Sequence, residues 1–218
     1  MQNKQNYQKY LLSVIDEVKN LESKPKLLLH VCCGPCSTAC LSVLSDYFDI
    51  TLLFYNPNIH PLDEYNKRYA ELRKFVEIER QKCYDIKIMN VDYDPQEYFD
   101  KVKGLEAEKE GGKRCMECFN LRLEYSAKIA SENNFDYFTT TLTISPYKNS
   151  QLINEIGKVM QEKYGVNYLF SDFKKNEGYK KSIELSKKYN LYRQDYCGCV
   201  FSKKEHEEFL KQKQLLGK

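Results

Sequence analysis

KLLLHVCCGPCSTACLSVLSDYFDITLLFY, residues 26–55, is the stretch from which the fold is read. Lys26–Val31 is an apolar run of strand length, Gly34-Pro35 forces a turn, and Ser37–Tyr47 has helical spacing. Asp49–Tyr55 is a second apolar run, ended by Asn56-Pro57-Asn58. Strand, helix and strand in about thirty residues make one right-handed crossover unit.

The same alternation extends in both directions. Upstream, Leu11, Val14, Ile15, Val18 and Leu21 share one face of an amphipathic helix over Tyr7–Leu21, which Pro25 closes off. Downstream, the pattern predicts a helix from Pro61 to Lys82, a strand over Ile86–Val91 and a short helix over Pro95–Lys103. A charged loop over Gly104–Lys113 leads to a helix over Cys115–Asn133 and a strand over Phe135–Leu142. A helix over Ser150–Lys163, a short strand over Tyr168–Ser171 and helices over Tyr179–Tyr189 and from Lys203 complete the chain. This order predicts an α/β fold with a doubly wound, mostly parallel sheet and helices on both faces. We expect one domain over residues 1–218, with an N-terminal helical extension at 1–24 and a basic region at 172–218. Ligands in such sheets bind beyond the carboxyl ends of the strands, which places Cys32, Cys33, Asn56, Asp92, Asp94 and Thr143–Tyr147 on one rim.

No run approaches membrane-spanning length, and residues 1–20 lack the apolar core and cleavage site of a secretory signal. The expected compartment is the cytoplasm, where thiols stay reduced, so clustered cysteines read as metal binding or catalysis before a disulfide framework. The net charge is +3, but residues 158–218 hold 14 Lys/Arg against 8 Asp/Glu. Lys174-Lys175, Lys180-Lys181 and Arg193 alternate there with Tyr179, Tyr189 and Tyr192. Lysines and tyrosines so mixed either neutralise phosphates and stack on unpaired bases or form a solvated helix face.

Eight of the nine cysteines fall into groups: Cys32, Cys33 and Cys36 with Cys40 a helical turn later, then Cys115 and Cys118, then Cys197 and Cys199. Cys115-Met116-Glu117-Cys118 opens a helix behind Lys113-Arg114, and a helix N-terminus and nearby cations both favour thiolate. With a second pair on the same rim, four thiolates complete a ligand set for zinc or an iron-sulfur cluster. Cys197-Gly198-Cys199 can close a small reducible disulfide or add ligands to a metal. Cys40 and the isolated Cys83 read as buried core residues. Asp92, Asp94, Asp195, His30 and Tyr147 are polar candidates, with Asp94 better explained as a turn or helix cap and His30 as a satisfied core histidine. CCGPC stands where nucleotide-binding relatives of this architecture carry a glycine-rich phosphate loop, which disfavours an ATP-dependent ligase or thiolase.

HVCCGPC, KRCMECFNLRLEYSAKIA, TTTLTISPYKNSQLINEIG, DFKKNEGYKKS and RQDYCGCVFS, in this order, resemble the QueH family of epoxyqueuosine reductases over Lys26–Ser202. The resemblance implies a Rossmann-like, nucleotide-binding HUP-type sheet that carries a 4Fe-4S cluster in place of the phosphate loop. It implies reduction of the epoxide of epoxyqueuosine in the anticodon wobble position of tRNA, giving queuosine and water. Cys32, Cys33, Cys115 and Cys118 are then the cluster ligands, and Cys197 and Cys199 a redox-active disulfide fed by an electron donor. Cys36 and Asp195 are candidate ligands for an additional mononuclear iron, and Asp195 is also a candidate acid. Lys174, Lys175, Lys180, Lys181 and Arg193 are the expected RNA-binding residues. Two rivals remain at this level. A zinc-stabilised RNA-binding module leaves Cys36 and the C-x-C pair idle, and a protein thiol-disulfide oxidoreductase leaves the four-thiol site unexplained.

Overall fold

Lys26–His30 forms β1, with four of its five side chains buried. A strand apolar on both faces belongs at the centre of a sheet covered on both sides. A computed structural model of the chain describes residues 5–89 and 91–215. The first four residues of the expected 1–24 extension, Asn90 in the expected third strand and the last three residues of the 172–218 region lie outside the described residues. β1 pairs in parallel with β2 (Asp49–Leu53) on one side and β4 (Tyr137–Thr140) on the other. β3 (Lys87–Met89) and β5 (Asn167–Tyr168) extend the sheet to the order β3-β2-β1-β4-β5. The expected doubly wound parallel sheet is therefore present.

The two-residue period of the strands sorts the core into two layers. Leu27 and Leu29 of β1, with Ile50 and Leu52 of β2, face α1 (Tyr7–Val18), α2 (Gly34–Leu44) and α3 (Leu62–Arg80). Leu28 and Leu53 face α5 (Lys113–Glu132) and α6 (Ser150–Tyr164) on the other side. α4 (Pro95–Lys101), α7 (Gly178–Lys188) and α8 (Val200–Leu215) complete the helices. Because β1 leads to β2 on one side while β4 lies on the other, a crevice opens between the carboxyl ends of β1 and β4. Among the described residues no helix is long and apolar enough to cross a membrane.

Element boundaries differ from expectation where side chains replace the backbone ladder. The strand expected over Phe135–Leu142 stops at Thr140, whose hydroxyl accepts the Leu142 N–H at 3.1 Å and turns the chain into a 3-10 turn, Thr141–Ile144. The strand expected over Tyr168–Ser171 is only Asn167–Tyr168. Beyond it, Thr139 donates to the Leu169 carbonyl at 2.8 Å, while Asn154 donates to the Ser171 carbonyl at 2.8 Å and accepts its N–H at 2.9 Å. α2 and α8 each begin three residues earlier than expected, for a reason that belongs to the cysteines themselves.

Candidate metal centre

Cys32 and Cys33 lie in the short link between β1 and α2. Cys33 is extended, and its sulfur accepts the Cys36 N–H at 3.3 Å, taking the capping position that Ser or Asp usually fills. Pro35, in the first turn, has no N–H to leave unpaired, so the helix starts at Gly34 instead of Ser37. A Cβ on Gly34 would stand 2.7 Å from the Glu71 carbonyl oxygen, so glycine lets α2 pass against α3 at this point. The sulfurs of Cys32, Cys33 and Cys36 consequently lie within 4.8 Å of one another. Hydrogen bonds from Cys33 and Cys36, followed by the charges of Arg122 and Lys148, hold the Cys32 thiol well below its usual range against the opposing effect of burial. Burial pushes Cys33 up to about 12, and hydrogen bonding within the trio raises Cys36. Cys32 is thus the most acidic thiol of the trio.

α5 presents Cys115 and Cys118 in its first two turns, after the Gly112 cap. Cys115 Sγ accepts the Gly111 N–H at 3.2 Å, and Cys118 packs with Cys199, Tyr98 and Val102. The expectation that this helix start favours thiolates is corrected. Burial raises Cys115 and pushes Cys118 up to about 12, and the neighbouring thiols Cys197 and Cys199 add to the effect. Arg114 cannot offset this fully, because its guanidinium is committed to the Glu106 carbonyl at 2.9 Å and to Glu205 at 3.0 Å. The Cys115/Cys118 pair does not join the 4.8 Å grouping of the first trio. Arg122, one turn below Cys118, lies 3.9 Å from its sulfur and also acts on Cys32.

The Cys197/Cys199 loop is tied to the body of the protein through α3. Arg68 donates to the Cys197 carbonyl at 2.9 Å and to the Tyr196 carbonyl at 3.3 Å, while the His60 N–H bonds the Gly198 carbonyl at 2.9 Å. Gly198 has φ +126°, a conformation that strains other residues, and a Cβ there would meet Arg68 at 2.9 Å. Cys199 Sγ accepts the Ser202 N–H at 3.4 Å, and its carbonyl the Lys203 N–H at 3.1 Å. Cys199 therefore caps α8, which starts at Val200 instead of Lys203. Cys197 and Cys199 are both free thiols in this structure.

A cavity of about 500 Å³ opens at the crevice, with Cys32, Cys36, Cys197, Arg122, Lys148 and Asp195 in its wall. Asp195 is exposed, and its carboxylate lies 3.3 Å from His206 Nε2. Gln194 directs its amide nitrogen at Cys33 Sγ, 3.2 Å away. Burial works against the charge of half-buried Lys148, yet Cys197, Cys32 and Cys36 hold its pKa above the ordinary lysine value. Tyr147, 80% exposed, stands on the same wall with Tyr179 and Arg193. Of the expected RNA-binding cations, Arg193 alone lines this cavity; Lys174 pairs with Asp172 at 2.7 Å, Lys180 with Glu177 at 3.1 Å, and Lys175 and Lys181 are exposed.

Arg122, Lys148, Gln194 and Arg68 were not singled out from the sequence. Arg122 had a signal: it falls in the stripe Cys118, Phe119, Arg122, Leu123, Ser126, which should face the core, and a charge there requires a partner. Asn56 and His30 provide part of it, for Arg122 donates to Asn56 Oδ1 at 2.8 Å and approaches His30 Nε2 at 3.3 Å. His30 is fully buried and hydrogen bonded to Thr140, as expected of a core histidine, and burial with the Arg122 charge lowers its pKa to about 3. Asp94 caps α4 by accepting the Gln96 N–H at 2.9 Å, and Asp92 is exposed; neither lines the cavity. Cys40 is buried, as expected. Cys83 is not a core residue: it follows the exposed end of α3 with φ +68°, where the turn carries its side chain into solvent.

A family model described as epoxyqueuosine reductase QueH matches residues 27–205. An epoxyqueuosine reductase QueH from Staphylococcus epidermidis is 48% identical over 200 residues, covering 90% of this chain and 84% of that protein. Its counterpart from Streptococcus pyogenes is 46% identical over 200 residues, covering 91% of this chain and 78% of the other. One from Thermotoga maritima is 38% identical over 185 residues, covering 84% and 92% respectively. Among solved structures, the likeness to the U34-tRNA thiolase NcsA of Methanococcus maripaludis is remote, with a TM-score of 0.48 at 13% identity over 94% of this chain and 72% of that one. By the extent and identity of these matches, the chain belongs to the QueH family of epoxyqueuosine reductases.

Proposed function

We propose that this chain reduces the epoxide of epoxyqueuosine in the tRNA anticodon wobble position, and that Cys32, Cys33, Cys115 and Cys118 hold a 4Fe-4S cluster. Each turnover consumes two electrons and two protons, replaces the two epoxide C–O bonds by a C=C bond, and releases water. Family membership supports the reaction. The observation that carries the site is the convergence of Cys32 and Cys36, two of the three grouped thiols, with Cys197, Lys148 and Arg122 on one cavity at the sheet's switch point. The donor set fits the cluster: one member of each thiol pair, Cys118 and Cys32, is within the influence of the buried Arg122 charge, Cys118 Sγ at 3.9 Å. Bound there, the cluster supplies electrons singly at low potential.

The remaining groups divide the work by position. Lys148 holds a proton at Nζ on the cavity wall, available to the oxygen that leaves. Tyr147, Tyr179 and Arg193 provide stacking faces and a cation for a base turned out of the anticodon loop. The cavity volume of about 500 Å³ suits one nucleotide instead of a helix. Cys36 and Asp195 are the remaining donors for an additional mononuclear iron. Cys197 and Cys199 act as a reducible pair that relays electrons from a donor in the cytoplasm, and the lysines of 172–218 meet tRNA phosphates.

The test is anaerobic incubation of iron-loaded protein with dithionite and tRNA carrying epoxyqueuosine, followed by nucleoside digestion and mass spectrometry. Loss of one oxygen from the modified nucleoside is expected. A colourless zinc-bound protein that binds tRNA without converting it would overturn the reading in favour of a zinc-stabilised RNA-binding module.

A further inference from the structure

Three arginines are among the largest fully buried side chains: Arg68, Arg114 and Arg122. Two have a carboxylate, for Arg68 pairs with Glu64 at 2.6 Å and Arg114 with Glu205 at 3.0 Å. Arg122 is 2% exposed, and among the described residues no carboxylate lies within ion-pair distance of it. Its partners are Asn56 Oδ1 at 2.8 Å, His30 Nε2 at 3.3 Å and Cys118 Sγ at 3.9 Å. Buried charges are normally paired or set against a metal site, because removing an ion from water costs several kcal/mol.

The surroundings hold this cation in place without neutralising it. Asn56 donates its Nδ2 to the Val31 carbonyl at 2.8 Å, which leaves its oxygen facing the guanidinium. Both Asn56 and His30 are buried, so water cannot substitute for either. The remaining groups within reach of Arg122 are sulfurs: Cys118 Sγ lies 3.9 Å away, and Cys32 and Cys197 are near enough to act on its charge.

We propose that Arg122 is the charge-compensating residue of the metal centre, with the thiolate-bound cluster as its counter-charge, and that it raises the cluster's reduction potential. The inference rests on the cluster assignment made above. Reduction by dithionite transfers one electron and adds one negative charge to the cluster. A fixed cation in a low-dielectric site favours that added charge. Lys148, on the wall of the open cavity, acts in the same direction but more weakly, since it is less buried than Arg122.

The experiment compares wild type, R122Q, R122K and K148Q by iron and sulfide content, by dithionite titration followed by electron paramagnetic resonance, and by thermal unfolding of the apo chains. R122Q should shift the reduction equilibrium about tenfold towards the oxidised form, which is about 59 mV more negative for one electron. R122K should stay within about threefold of wild type, with K148Q between the two. Apo R122Q should fold at least as well as apo wild type, since it loses an uncompensated charge. Cluster loss in R122Q but not in R122K would also support the proposal. An iron-loaded R122Q with an unchanged potential would overturn it, as would equal cluster loss in R122Q and R122K, or an apo R122Q chain that does not fold. Wild-type protein without iron and sulfide would instead refute the cluster assignment, a distinct result.

Discussion

Replacing Arg68 with Met should loosen the attachment between α3 and the loop that carries Cys197. Arg68 is 1% exposed, pairs with a largely buried Glu64 at 2.6 Å, and donates to the Cys197 and Tyr196 carbonyls at 2.9 and 3.3 Å. Methionine fills much of the volume, so the loss is chiefly polar. Breaking one partner of a buried ion pair costs about 3–5 kcal/mol, and each carbonyl left without a donor costs about 1–3 kcal/mol. The loop can move to hydrate its carbonyls, which removes their penalty and leaves the ion-pair loss, about 3–5 kcal/mol. For a chain of this length that corresponds to a fall in melting temperature of roughly 10 °C. Thermal unfolding of the apo protein measures it, with the alkylation rate of Cys197 as a local readout. A stability loss under about 1 kcal/mol together with unchanged Cys197 reactivity would refute the anchoring role.

Gly198→Ala should be destabilised by about 1–3 kcal/mol, because a Cβ at φ +126° meets the Arg68 guanidinium; thermal unfolding checks it, and a neutral result would mean that the loop adjusts freely. Cys33→Ala should lose its iron while Cys40→Ala keeps it, since Cys40 is buried about two turns further along α2; equal iron content in the two variants would contradict the ligand division. K175Q and K181Q should each lower the log–log salt slope of tRNA binding by about one, whereas K174Q, already neutralised by Asp172, should change it less. Filter binding across a salt series separates these outcomes, and a salt-independent affinity would dismiss the basic region as a binding surface.

The central sheet was legible in the sequence because β1 and the second half of β2 are apolar runs of strand length and a helix-forming segment bounded by Gly34-Pro35 lies between them. Strand ends were less so. Asn154 on α6 takes over the backbone partners of Ser171, and nothing local in the 167–171 stretch announces a side chain so distant in sequence. The helix starts at Gly34 and Val200 were missed for one shared reason: cysteine is not a usual cap, yet Cys33 and Cys199 each accept an N–H from the following turn. The cysteine groups themselves were visible by spacing. Their protonation was not, because burial outweighs the helix terminus at Cys115 and Cys118. Cys83 was misread because a general preference of cysteine for the interior says nothing about a residue just past a helix end with positive φ.

Iron and acid-labile sulfide per chain, measured after anaerobic purification of wild type and of single alanine variants at Cys32, Cys33, Cys115 and Cys118, test the proposed centre most directly. The account predicts on the order of four iron and four sulfide in the wild type, with a broad absorption typical of iron-sulfur proteins, and loss of both in each variant. Stoichiometric zinc without sulfide in the wild type, or full iron and sulfide in any of the four variants, would contradict it.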